Sequence, residues 1–317
     1  MLVLDRKQVE SLLDTDALIA ALAPAMQDLS AGRVSMPGRT VAQVQERRGF
    51  LGVMPAYLPK SHTLSCKLVT LFPENRDRPT HQAVVMLFDP ATGTPTAMLD
   101  GTSITALRTA AGSALATKLL AREDASVLLI VGTGVQALSH ARAVSRVRRL
   151  KEIRVAGRDA AKAADLARRL EREFGLRVTS HALSQEAFKG AHIVCAATHA
   201  AEPVVRGAWL EAGTHVNSVG MNAAGREVDA EAMRGARVYV EYRAAALAPP
   251  PSGANDLMGV DVQAEIGEVV AGTRPGRGSP GEITLYKSVG VAVQDAVAAQ
   301  LVYDAAVKKG RGLEIGF

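Results

Sequence analysis

The stretch Ser126-Val-Leu-Leu-Ile-Val-Gly-Thr-Gly-Val-Gln-Ala137 decides the fold. A continuous apolar run that closes on glycine is how a strand buried on both faces reads. Gly132, Gly134 and Ala137 then form a G-x-G-x-x-A turn, with a helix expected from about Val135. In such a turn the first glycine permits the tight reversal and the second lets the backbone approach a pyrophosphate. The small third residue keeps the helix close to the strand, and the helix N-terminus offers free N–H groups and positive potential. Outward from this turn, a second strand is expected at Ile153–Ala156, then a helix capped by Asp159 and stopped at Gly175. Further strands are expected at 176–179, His192–Ala197, His215–Val219 and Arg237–Glu241. Strand and helix alternate throughout, the pattern of right-handed βαβ units on a parallel sheet. A dinucleotide site is the reading this context supports, the alternative being a purely structural glycine turn.

Upstream the chain changes character. A helix is expected near 7–31, followed by short segments at Cys66–Phe72 and Ala83–Asp89. The second enters the turn Asp89-Pro-Ala-Thr-Gly93 and pairs with Pro95–Leu99 in hairpin fashion. Ser103–Leu120 is Ala-rich and helical, Ala246–Gly253 with its three prolines is a loop, and a last helix is expected from Val291 to Lys309.

Composition narrows the classes. The 317 residues are 48% hydrophobic and 22% charged, as in a globular protein, and only 4% aromatic, so Ala, Val and Leu must build the core. Lys+Arg 37 against Asp+Glu 32 is a modest excess. Its one cluster, Arg146, Arg148, Arg149 and Lys151, reads as a solvated helix face and not as a nucleic-acid footprint. No apolar run approaches the roughly 20 residues of a membrane span. The opening MLVLDRKQVE meets an acid at position 5 and does not read as a signal peptide, and Cys66 and Cys195 form no disulfide framework. A cytoplasmic protein is therefore expected. No zinc-type His/Cys spacing, G-x-S-x-G or P-loop occurs, so no metal is expected.

The end of the second strand bears on which dinucleotide is used. Arg158 stands in Gly157-Arg158-Asp159 where an NAD site carries an acid for the ribose 2′-OH. A guanidinium suits the 2′-phosphate of NADP. NADP is thus preferred and NAD possible, the alternative being that Asp159 does the acid's work or caps its helix. In the first part of the chain Arg39, Lys67 and Arg108 are cations in apolar surroundings. Each is either a member of a structural ion pair or a contact for an anionic ligand such as a carboxylate.

Taken in order, Arg39, Lys67, Phe72-Pro-Glu-Asn75, Pro79-Thr80, Leu107-Arg-Thr-Ala110, Gly132-Thr-Gly-Val-Gln136, Gly220, Arg226-Glu-Val-Asp229 and Thr284-Leu-Tyr-Lys-Ser-Val-Gly290 form a series. It resembles the ornithine cyclodeaminase/μ-crystallin family over nearly the whole chain. The resemblance implies an α/β protein in which a Rossmann-like parallel-sheet domain, 122–289, is inserted into an α+β substrate-binding and dimerisation domain, 1–121 plus 290–317. It also implies a homodimer and NAD(P) chemistry at the Cα of a small carboxylate-bearing imino or amino acid. Carried over by position, Arg39 and Lys67 bind the substrate carboxylate and Val289 lines the substrate pocket. Thr80, Arg108, Val135, Gln136, Thr198, Gly220 and Ser288 contact the cofactor, and Asn222 and Arg226 lie near the nicotinamide. Lys67 and Asn222 are the candidate catalytic residues.

Three departures separate this chain from the ornithine branch. The Gly-x-Asp of those enzymes, whose Asp transfers protons, is Gly220-Met221-Asn222 here. An amide cannot exchange a proton near neutral pH. The glutamate two residues before Met-Pro, which recognises the distal amine of ornithine, is Gly52 before Met54-Pro55. Arg158 replaces the NAD-type acid, as in NADPH-using ketimine reductases. A reductase or dehydrogenase of imino or amino acids, with cyclic ketimines favoured, is the reading. Ornithine cyclodeaminase and a non-catalytic NADP-gated small-molecule binder are the alternatives.

A charge-assisted phosphate contact is worth roughly 1.5–3 kcal/mol, or about ten- to a hundredfold in affinity. Fluorescence titration should therefore show NADPH binding tighter than NADH by that order. Arg158→Ala should erase the difference; equal affinities in the unmutated protein would point to Asp159 instead.

Overall fold

The computed structural model describes residues 1–221, 225–250 and 252–316. The elements begin with β1 (Leu2–Leu4), α1 (Arg6–Leu12), α2 (Thr15–Ser30), β2 (Thr40–Val44), β3 (Gly49–Leu58) and β4 (Thr63–Leu71). Then come β5 (His81–Phe88), β6 (Pro95–Asp100), α3 (Gly101–Leu120), β7 (Val127–Val131), α4 (Val135–Ser145) and β8 (Glu152–Gly157). α5 (Ala160–Phe174), β9 (Arg177–Ala182), α6 (Gln185–Phe188), β10 (Ile193–Ala196), β11 (His215–Ser218), α7 (Ala230–Gly235) and β12 (Arg237–Val240) follow. The chain ends with α8 (Arg243–Ala246), β13 (Val262–Glu265), α9 (Ile266–Val270), β14 (Thr284–Lys287), α10 (Ala292–Lys309) and β15 (Leu313–Glu314). By compactness the chain divides into Met1–Arg108 with Gly290–Phe317, and Thr109–Val289, a division that falls inside α3.

In the first unit the strands form a sheet in the order β15-β1-β6-β5-β4-β3-β2. β1 runs parallel to β6, and the other neighbours are antiparallel. Met54, Lys67, Val85 and Leu99 stand in one row across β3–β6, on a buried face that packs against α10, which in turn packs against α2. The opposite row, Pro55, Cys66, Met86 and Met98, stays partly exposed. The single helix expected over 7–31 is in fact two. Asp14 accepts from Ala17 N at 2.8 Å and starts α2, while Leu13 before it is extended. An acid that caps free N–H groups begins a new helix more readily than it continues an old one.

The second unit carries eight parallel strands in the order β13-β12-β14-β11-β10-β7-β8-β9. Leu129 and Val131 of β7 pack with one core and Leu128 and Ile130 with the other, which is why that strand reads as an unbroken apolar run. The chain lays β8 and β9 on one side of β7 and β10 on the other, so strand order reverses at β7. In open parallel sheets ligands bind outside the carboxyl ends of the strands at such a switch point. β14 was not among the expected strands; its last residue, Lys287, is fully buried with polar partners.

One surface reading is corrected. Arg148 lies in the turn after α4, not on a solvated helix face. Its guanidinium donates to the carbonyls of Thr117 (3.0 Å), Ala121 (2.8 Å) and Arg122 (2.9 Å), closing the end of α3. Orphan carbonyls at a helix C-terminus favour a cation there. No helix among the described residues is long and apolar enough to cross a membrane.

Candidate functional site

The glycine turn has the geometry that a dinucleotide's pyrophosphate requires. Gly132 has φ +121°, and a Cβ on it would stand 2.6 Å from Ala197 O, so only glycine fits. Gly134 is the N-cap of α4 with no side chain capping the helix, and a Cβ there would meet nothing within 4 Å. The next residue, Val135, is 69% exposed. An open approach to uncapped helical N–H groups is what a pyrophosphate requires. Ala137 is fully buried against β7, as the turn demands. The Gln136 carbonyl bonds His140 Nδ1 at 2.7 Å, and burial pushes that histidine down to about 4, so it is neutral. Arg158 is exposed just past β8. Asp159 is occupied as the cap of α5, accepting from Lys162 N at 3.1 Å.

Beyond β7 the carboxyl ends of β10, β11 and β14 carry Thr198, Gly220 and Ser288. Thr198 N and Oγ1 donate to Glu227 Oε1 at 2.7 and 2.9 Å, and Gly220 N donates to Glu227 Oε2 at 2.7 Å. Ser288 Oγ donates to Glu241 Oε1 at 2.5 Å, and Val289 N to Glu241 Oε2 at 3.2 Å. Val289 is buried in the core of this unit, Arg226 is partly buried, and Asn222 lies outside the described residues. Glu227, Glu241 and Lys287 were missed by the sequence reading, although charges inside apolar runs are a signal that could have found them. Cys195 is buried and its thiol pushed up to about 12, which leaves it inert.

The first unit holds the cations. Lys67 is 2% exposed and Asp295 1%. Lys67 Nζ donates to Asp295 Oδ1 at 3.0 Å and to Thr105 Oγ1 at 2.6 Å. Arg108 donates through Nε to the same Asp295 oxygen at 3.0 Å and through Nη1 to Gln294 Oε1 at 2.9 Å. Two buried cations thus share one carboxylate. Burial lowers Lys67 to about 8, Asp295 opposes that shift, and the charges of Arg108 and Arg39 add to it. Arg39 is partly buried, and its Nη2 donates to Gly290 O at 3.4 Å. Gly52 makes room beside it: a Cβ there would lie 3.3 Å from Val69 Cγ1 and 3.5 Å from Arg39 Cδ. Thr80 lies in the loop between β4 and β5, its carbonyl accepting from Phe72 N at 2.8 Å. The geometry brings Lys67 and Arg108 together on Asp295, which sequence reasoning had not named, with the Arg39 charge near enough to act on Lys67. Among the described residues no group of His, Cys, Asp and Glu is placed to hold a metal.

Residues 1–310 match the model of the Ornithine cyclodeaminase/mu-crystallin family. The chain belongs to this family. It is 43% identical over 301 residues to the ketimine reductase mu-crystallin of Mus musculus, covering 93% of this chain and 94% of that one. It is similar to the structure of Thermococcus litoralis Δ1-pyrroline-2-carboxylate reductase in complex with NADH and L-proline. That likeness has a TM-score of 0.95 and 37% identity, and covers 99% of this chain and 100% of the other. An archaeal alanine dehydrogenase dimer with bound NAD gives a TM-score of 0.89 at 31% identity, over 100% and 99% of the two chains.

The two glycines of the turn should separate in experiment. Gly132→Ala places a Cβ against Ala197 O at positive φ and should cost about 2 kcal/mol or more of stability, read by chemical denaturation. Gly134→Ala, at φ −85° with open space, should melt like the unmutated protein yet lose at least about tenfold in dinucleotide affinity.

Proposed function

We propose that this protein is an NAD(P)H-dependent reductase of small cyclic α-imino acids of the Δ1-pyrroline-2-carboxylate type, yielding the corresponding cyclic amino acid. The observation that carries this reading is the buried pair Lys67 and Arg108 on a single carboxylate. Two cations against one anion leave a positive balance that a substrate carboxylate completes. Likeness to a ketimine reductase and a pyrroline-carboxylate reductase supports the ring-shaped imine as the group attached to it.

Arg39 and Lys67 bind the carboxylate, and Arg108 with Asp295 holds Lys67 in place. Orientation of this kind removes much of the entropic barrier before reaction begins. When bound to the glycine turn, NAD(P)H supplies the hydride equivalent that the imine carbon accepts. The imine nitrogen must also gain a proton. Lys67, lowered to about 8, can give one up near neutral pH. Asn222 stays neutral and can only orient a donor. That residue and Gly52, which presents no carboxylate to a distal amine, favour reduction of a preformed imine over cyclodeamination of ornithine. Arg158, exposed at the end of β8 while Asp159 caps its helix, favours NADP over NAD. In this reading residues 1–121 and 290–317 bind substrate and 122–289 the cofactor.

We further propose a homodimer formed through the first unit. The outward face of its sheet carries Val53, Tyr57, Leu64, Leu68, Met86 and Phe88, all partly exposed and in adjoining rows. A contiguous apolar face of this kind marks a protein contact. The dimeric alanine dehydrogenase neighbour agrees with it.

The purified protein should consume NADPH one-for-one with Δ1-pyrroline-2-carboxylate and release no ammonia from ornithine. Proline and ammonia from ornithine plus NAD would reverse the assignment. Because carboxylate binding needs the Lys67 ammonium, kcat/KM should fall as pH rises through about 8. Asp295→Asn removes the charge that holds Lys67 up and should move that limb to lower pH. Lys67→Ala should lower kcat/KM at least about a hundredfold, roughly 2.7 kcal/mol, with NADPH affinity nearly unchanged. For the dimer, Met86→Glu should shift the mass seen by light scattering from two chains toward one.

A further inference from the structure

The carboxyl edge of the second unit's sheet contains a charged cluster that the reaction above does not use. Glu227 is 3% exposed, and each of its oxygens accepts two hydrogen bonds. Oε1 takes Thr198 N and Oγ1; Oε2 takes Gly220 N at 2.7 Å and Ser218 Oγ at 2.7 Å. Thr198 follows β10 and Gly220 follows β11, so one side chain ties the ends of two neighbouring strands. Lys287, at the end of β14, extends the tie by donating to Ser218 Oγ at 2.9 Å, Gly220 O at 2.7 Å and Asp256 Oδ2 at 3.2 Å. Asp256 Oδ1 in turn accepts the backbone N–H of Glu227 and Val228, both at 2.8 Å. The packing leaves no slack: a Cβ on Gly220 would stand 2.2 Å from both Glu227 Oε1 and Thr198 O.

Topology says what this edge faces. Strand order reverses at β7, whose glycine turn takes the pyrophosphate. Arg158, on the β8 side, marks the adenosine half. The other half of a dinucleotide laid across the switch point must run over the ends of β10 and β11. We propose that Glu227 is a positioning residue for the nicotinamide half of the cofactor, holding Thr198 and Gly220 in one fixed edge on which that half rests. This inference rests on the NAD(P) reading of the previous subsection.

Glutamine at 227 is a sharp probe. An amide has one oxygen and one NH2 group, so whichever way it turns, its NH2 meets either the Thr198 or the Gly220 N–H. Hydroxyls can rotate away; a backbone donor cannot, and it is left unsatisfied. The experiment compares NADPH with 2′-phospho-ADP-ribose, which lacks only the nicotinamide, by calorimetric titration. Glu227→Gln should bind NADPH about tenfold more weakly and the fragment within about twofold of the unmutated protein. Ser218→Ala, which keeps both backbone donors satisfied but loses the hydroxyl between Glu227 and Lys287, should show a smaller loss, about threefold, again for NADPH alone. That second variant decides the matter where Glu227→Gln does not fold. Equal losses for both ligands, or none, would make the cluster a scaffold and overturn the inference. If the unmutated protein binds neither ligand, the dinucleotide reading itself falls and takes the inference with it.

Discussion

A charge taken out of water must find its partners inside the protein, and this requirement organises both units. In the first, Asp295 on α10 accepts from Lys67 on β4 and Arg108 on α3 through one oxygen. Its other oxygen has no hydrogen-bond partner among the described residues. In the second, Glu227 accepts four donors and leaves none of its lone pairs idle. Removing one partner from such a buried set exposes the rest to the full cost of an uncompensated charge, typically about 3–5 kcal/mol. The sets therefore act as fasteners. They join strands and helices that are adjacent in space and far apart along the chain.

The two sets differ in what they leave open. Glu227, Asp256 and Lys287 are closed among themselves, which suits a rigid edge. Lys67, Arg108 and Asp295 are short of negative charge, and the nearby Arg39 lowers the Lys67 ammonium further. An incomplete charge set invites a ligand, while a complete one holds shape. Gly132 and Gly134 divide labour in the same manner, the first closed against Ala197 and the second open to whatever approaches α4.

Residue chemistry differs sharply at three further positions. Gly52 lies beside Arg39 and Val69 and presents no carboxylate of its own. An amide at 222 orients but does not carry protons. A guanidinium, as at 158, suits a phosphate that an acid would repel. Arg158 is exposed and Gly52 lies on a strand of the first unit's sheet, so neither belongs to the buried charge sets.

Much of the fold was legible locally. Val127–Val131 with its glycine turn, the cap at Asp159, the left-handed stop at Gly175 and the hairpin through Asp89–Gly93 all depend on residues within a few positions of one another. The cations Arg39, Lys67 and Arg108 could be picked out because charge inside an apolar run must be satisfied somewhere. Which groups satisfy them could not be read. Asp295 lies 228 positions from Lys67, and only the packing of α10 on the sheet brings them together. The partners of Lys287 on β14, among them Ser218 and Gly220 at 69 and 67 positions away, were equally out of reach of a local reading. The sequence by itself determined the local conformations, the parallel βαβ character and the identity of the turn, since these follow from periodicity and from which residues tolerate a given φ. The tertiary structure alone decided strand order, the partners of every buried charge and the open or closed state of each cluster, because those depend on contacts between distant segments that no local pattern encodes.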